Sequence, residues 1–124
     1  MLKKTLIGLI GILVVPALMF AASAFAADDA AKKALYDKHC KKCHAEDGGG
    51  KKADGSWMPV AKTLKLEKPE GLSILSPEAK KITDDDIKKS MKEGKGKMKK
   101  LEGLSDADIT ALTEYTRDLQ SKAK

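Results

Sequence analysis

Cys40-Lys41-Lys42-Cys43-His44 holds both cysteines and one of the two histidines of a 124-residue chain. Two thiols three positions apart admit few chemistries. A disulfide between them would close a tiny loop and restrain the unfolded chain very little. A thioredoxin-type pair opens a helix that follows a strand in a βαβ setting. Here Ala30 to His39 reads as helix, with Ala31, Ala34 and Leu35 on one side, and no strand precedes the pair. A structural zinc site takes four ligands. The chain offers Cys40, Cys43, His39 and His44, but His39 adjoins Cys40 and there is no second C-x-x-C.

The fifth residue of the stretch fits another chemistry. C-x-x-C-H is the attachment signature of c-type haem. Two thiols must reach the vinyl groups on one side of the porphyrin, and the next imidazole must reach the iron. A helical turn over Cys40 to His44 brings all three to one side. The expected cofactor is therefore a single haem c, covalent through Cys40 and Cys43, with His44 as its proximal iron ligand.

Haem of this type is attached on the exported side of a membrane, and the beginning of the chain agrees. Met1-Leu2-Lys3-Lys4 is a positive start, Leu6 to Phe20 is apolar, and Ala24-Phe25-Ala26 gives an A-x-A end. Residues 1–26 thus read as a secretory signal peptide and 27–124 as one domain, exported to the periplasm. The alternative is an uncleaved membrane anchor, since the apolar stretch is nearly long enough to span a bilayer. Pro16 and the alanine-rich end favour cleavage, after which no stable membrane insertion is expected.

Setting that segment aside changes the composition. The whole chain is 42% hydrophobic, yet from Asp28 onward only Tyr36, Trp57 and Tyr115 are aromatic. Seventeen Leu, Ile, Val and Met residues remain beside them. Large aromatic side chains bury the most area, so such a domain has a thin core and needs a staple or a cofactor serving as core. Without Lys3 and Lys4 the net charge falls from +6 to +4. That excess is too small and too interleaved with acids to indicate nucleic-acid binding. Collagen, a coiled coil and a large multi-domain enzyme are excluded.

The second axial position decides what such a haem does: a second strong ligand makes an electron carrier, an open site a sensor or a peroxidase-like enzyme. His39 is tethered on the proximal side and cannot reach across. Among the methionines, Met91 falls on the apolar spacing of Ile82 and Ile87, after an N-cap at Thr83 with Asp84, Asp85 and Asp86, and reads as core. Met58, before Pro59, reads as packing. Met98 stands in Gly94-Lys95-Gly96-Lys97-Met98-Lys99-Lys100, an apolar side chain among lysines, where two glycines let the backbone approach a flat cofactor. The soft thioether suits haem iron, and Met98 is the expected distal ligand, against the bland reading of a surface methionine. Ser105-Asp106-Ala107-Asp108 caps a last helix with Ile109, Leu112, Thr116 and Leu119 at helical spacing. No stretch alternates with period two, so no sheet is expected.

On these residues the sequence resembles the class I monohaem cytochromes c. Ala34-Leu35-Tyr36-Asp37-Lys38-His39-Cys40 looks like the family's first helix entering the attachment motif, and Asp47-Gly48-Gly49-Gly50-Lys51 like its glycine loop. Gly94 to Met98 looks like the distal loop, and Leu104 to Arg117 like the last helix. The resemblance implies an all-α fold, with crossed N- and C-terminal helices and a further helix and loops wrapping the haem. It implies that Tyr36 and Tyr115 pack the crossing. It also implies that the Pro59 carbonyl, in Met58-Pro59-Val60, accepts a hydrogen bond from His44. Two departures stand out: Lys32 where the family often has a small residue at the crossing, which Ala31 or Ala34 would then supply, and Lys99 where it often has proline after the distal methionine. A Lys99 or Lys100 ligand is a minor alternative to Met98.

The expected function is one-electron transfer by a monomeric carrier, not an enzyme. Lysines around Met98 would steer redox partner proteins with acidic docking surfaces. Alternatives are a haem sensor or peroxidase-like enzyme with an exchangeable sixth ligand, and a haem subunit of a larger oxidoreductase.

Overall fold

The computed structural model describes residues 17–123, with side chains from Asp28 onward. Most of the expected signal segment, residues 1–16, lies outside the described residues. The elements are α1 (Ala17–His39), α2 (Lys41–His44), α3 (Val60–Thr63), a 3₁₀ turn (Pro69–Leu72), α4 (Pro77–Lys80), α5 (Asp84–Glu93) and α6 (Asp106–Lys122). Among the described residues there is no strand, only isolated bridges between Lys51 and Trp57 and between Lys95 and Met98. The fold is all-α, as the absence of period-two alternation predicts. No described helix is long and apolar enough to cross a membrane.

The long helices start where the caps predict. Thr83 accepts from the Asp86 amide at the start of α5. Ser105 and Asp108 form a reciprocal capping box at the start of α6. Each cap satisfies amides that the first turn leaves without partners, worth about 1 kcal/mol at such a position.

α1 packs on α6, and the core lies between them and α5. Tyr36, Cys40, Met91, Ile109 and Leu112 form its buried centre, with Leu112 fully inaccessible. The Tyr36 and Tyr115 rings meet at 5.1 Å between centroids, tilted 45°, a geometry that favours aromatic pairs. The Tyr36 hydroxyl donates to the Ala45 carbonyl at 2.7 Å, so this buried phenol fixes the chain leaving α2. Burial pushes its pKa well above the ordinary tyrosine value.

Neither Ala31 nor Ala34 supplies a small contact, since both are exposed. Lys32 itself occupies the packed side of α1, with its side chain 18% exposed. Its ammonium reaches Glu114 of α6 at 2.8 Å and Asp28 at 3.3 Å. A long aliphatic stem can cover apolar surface while its charge stays at the edge. The contact between α1 and α6 is thus tied by an ion pair from a lysine where the family often has a small residue.

A second set of ties runs from α6 to residues 74–84. Gln120 donates to the Ile74 carbonyl at 2.8 Å. Arg117 donates to Asp84 at 2.8 Å, to the Gln120 side-chain oxygen at 2.9 Å, to the Lys80 carbonyl at 3.4 Å and to the Ile82 carbonyl. This segment has only one four-residue helix of its own, and α6 supplies the partners that hold it.

Candidate cofactor site

α2 is one turn of helix, with Cys40 at its N-cap. The Cys43 and His44 amides both donate to the Cys40 carbonyl, at 3.1 and 2.9 Å. That turn is the local structure the motif predicts, and it carries Cys40, Cys43 and His44 to the border of one large cavity of about 740 Å³. Met98 borders the same cavity, as do His39 and Lys99. Most of the remaining wall is apolar, including Val60, Leu64, Leu72, Ile74, Met91 and Leu101.

Cys40 is buried and Cys43 half-buried, and the two sulfurs are not bridged. Burial, with a smaller contribution from Cys43 beside it, pushes the Cys40 thiol up to about 12, which keeps it neutral. Burial also pulls the His44 imidazole below its ordinary value, against the smaller upward effect of a hydrogen bond to Leu72. His44 is therefore held as neutral imidazole, the form that binds metals.

The acceptor for His44 is not Pro59. His44 Nδ1 donates to the Leu72 carbonyl at 2.6 Å, 28 residues along the chain. Pro59 does not border the cavity. Its carbonyl starts α3 instead, accepting from the Lys62 amide at 3.1 Å, the Thr63 amide at 3.2 Å and the Thr63 hydroxyl at 3.3 Å. Leu72 ends the 3₁₀ turn and is 7% exposed. Its carbonyl fixes the tautomer of His44, leaving Nε2 as the nitrogen that would bind a metal, and raises the ring's basicity.

The glycine loop explains how Leu72 is placed. Gly50 has φ +73°, and a Cβ there would lie 2.8 Å from the Leu72 Cβ and 3.0 Å from its carbonyl carbon. The Gly50 amide donates to the His44 carbonyl at 2.8 Å, so one residue touches both the imidazole-bearing turn and its acceptor.

The distal loop is closed on itself. Lys95 and Met98 exchange backbone hydrogen bonds at 2.9 Å in each direction across Gly96 and Lys97. Gly96 has φ +57° at the first central position, which a type II′ turn reserves for glycine. At Gly94 a Cβ would lie 2.7 Å from the Met98 carbonyl. The close approach that this glycine permits is to its own loop, whereas nothing lies within 4 Å of a Cβ at Gly96. The Leu101 amide, donating to Met91 at 2.8 Å, anchors the loop's far end to α5.

These residues fit a haem on three counts. A volume of about 740 Å³ falls in the range of cofactor sites, roughly 300–1,000 Å³. Two unbridged thiols stand on one helical turn beside an imidazole whose tautomer is already set. The wall is apolar enough for a porphyrin face. Among the described residues no group of three or more His, Cys, Asp or Glu could hold a metal ion, which weighs against the zinc alternative.

Two participants are not singled out in the sequence reading: the Leu72 carbonyl and the Arg117 fork. A backbone acceptor carries no residue signature. Arg117 does carry one, being the only arginine among 24 basic residues.

An all-α domain wrapped around a cavity that joins C-x-x-C-H to a methionine loop defines the class of small haem c proteins. The family model for cytochrome c matches residues 30–120, and the chain belongs to that family. No curated protein and no solved structure matches the chain. Cytochrome c domains act in haem-based electron transfer, and membership implies covalent haem c, for which Cys40 and Cys43 have the spacing.

Proposed function

We propose that this chain is an exported one-electron carrier with a single haem c bound through Cys40 and Cys43 and with His44 and Met98 as axial ligands. The observation that carries the reading is the shared cavity: Cys40, Cys43, His44 and Met98 all border one largely apolar space. When bound, haem supplies an iron that changes by one electron between its ferric and ferrous states. The chain's own part is to hold its ligands still. The Leu72 carbonyl orients His44, and the Lys95–Met98 turn holds the thioether's backbone. Buried Met91 and Leu72 help keep water from the cavity, and low dielectric with a thioether ligand favours the reduced state. Two strong axial ligands leave no exchangeable position, so the chain is read as a carrier and not as an enzyme.

Lys42, Lys68, Lys95, Lys97, Lys99 and Lys100 all border the cavity. We read this rim as the surface that meets redox partners with acidic docking faces, in a monomer located in the periplasm after removal of residues 1–26.

The test is mass spectrometry together with the ferric spectrum of the purified protein. The expected mass is that of residues 27–124 plus one haem. The expected spectrum has a weak far-red sulfur-to-iron band that Met98→Ala abolishes and that Met58→Ala and Met91→Ala keep. A high-spin ferric iron that rapidly binds carbon monoxide once reduced overturns the carrier reading in favour of a sensor or enzyme.

A further inference from the structure

We infer that Lys97 is a positioning residue, whose ammonium latches the Met98 loop to the loop after α3 and so holds the ligand-bearing segment closed across the cavity mouth. The Lys97 Nζ donates to the Leu64 carbonyl at 2.6 Å and to the Lys65 carbonyl at 3.1 Å, across 33 and 32 residues of sequence. Leu64, Lys97 and Met98 all border the cavity, so the latch joins two parts of its rim.

The geometry has a local cause. Leu64 is the C-cap of α3, where a helix leaves carbonyls without intrahelical donors. Lys65 then adopts φ +51°, a left-handed conformation that reverses the chain. Two successive carbonyls converge there on one donor, the role that lysine often takes at a helix end. A three-donor ammonium on a flexible stem can meet both oxygens at once.

The neighbouring lysines are used differently. Lys92 pairs with Asp106 at 2.8 Å and Lys100 with Glu102 at 3.8 Å. Lys97 crosses to another segment. Lys99 follows Met98 where the family often has a proline, so the loop gains no rigidity from a ring at that position. The Lys95–Met98 turn fixes the loop's internal shape and the Leu101 amide ties its far end to Met91, so the latch fastens the tip between them to the facing segment.

The link to iron chemistry rests on the reading of Met98 as distal ligand, but the latch can be measured apart from it. The experiment compares the haem-loaded wild type with Lys97→Leu, which removes the donor, Lys97→Arg, which keeps donors, and Lys95→Leu, which removes a neighbouring charge. Native-state hydrogen exchange at the Leu101 amide, whose bond to the Met91 carbonyl ties the loop to α5, reads detachment of the loop, whereas the Met98 amide is protected by the turn itself. Exchange about three- to tenfold faster is expected in Lys97→Leu, the factor that corresponds to losing one net hydrogen bond. Lys97→Arg and Lys95→Leu are expected to exchange as the wild type does. Imidazole should bind the ferric Lys97→Leu protein more tightly by a similar factor. Unchanged exchange in Lys97→Leu, or equal acceleration in Lys95→Leu, overturns the latch. A wild-type spectrum lacking the sulfur-to-iron band would instead overturn ligation by Met98, while the exchange data still decide whether Lys97 holds the loop.

Discussion

Replacing Arg117 by lysine keeps the charge and removes the fork, and it isolates how α6 holds the cavity wall at Ile82. The guanidinium makes four hydrogen bonds: to Asp84, Gln120 and the carbonyls of Lys80 and Ile82. The Asp84 partner is 62% exposed, so that pair contributes little, about 0–1 kcal/mol. The Lys80 contact at 3.4 Å is long. The weight falls on the part-buried bonds to Ile82 and Gln120. A single ammonium cannot reproduce the planar fork that makes both while facing Asp84. Leaving those two acceptors without their donor at about 1 kcal/mol each gives a loss of about 2 kcal/mol. For a domain of this size each kcal/mol lowers Tm by about 4–8 °C, so Arg117→Lys should melt about 10 °C lower. Urea unfolding of the haem-loaded protein measures the loss, with Asp84→Asn as the control for the exposed pair, at about 0–1 kcal/mol. Arg117→Lys within 0.5 kcal/mol of wild type, or Asp84→Asn as costly as Arg117→Lys, refutes the reasoning.

Two further outcomes test other parts of the site. Gly50→Ala should cost about 2–4 kcal/mol in urea unfolding, from the left-handed backbone plus collision with Leu72, and should shift the His44 Nδ1 proton resonance. Gly55→Ala, with a similar φ of +84° and nothing near its Cβ, should cost only about 1–2 kcal/mol and leave that resonance in place. If the lysine rim steers encounter, oxidation of the ferrous protein by an acidic redox partner should slow steeply between low salt and about 0.15 M, where the Debye length shortens to about 8 Å. A rate independent of salt would remove that role from the rim.

The parts legible in the sequence were those in which a side chain announces its own task. Cys40, Cys43 and His44 predict the helical turn they form because three groups must share one side. Thr83 and Ser105 predict helix starts because a hydroxyl there satisfies free amides. Met91, Ile109 and Leu112 predict the core by spacing alone. The parts that stayed hidden depend on backbone or on reach. The imidazole needs an acceptor, and any carbonyl will serve, so the resemblance points to Pro59. The fold delivers Leu72 because the Pro59 carbonyl is spent within α3 and because Gly50 lets Leu72 approach. Lys32 looks like an obstacle to helix packing, yet its side chain is only 18% exposed and its ammonium pairs with Glu114 of α6. Arginine and lysine divide the remaining work by geometry. Two backbone carbonyls, the Gln120 amide oxygen and a carboxylate spread around Arg117 call for a planar fork, and the chain's single arginine stands there. Two carbonyls converging at the end of α3 need only a cationic donor on a long stem, and Lys97 reaches them. Charge alone would treat these positions alike, whereas acceptor layout separates a residue that braces the wall from one that fastens the ligand loop.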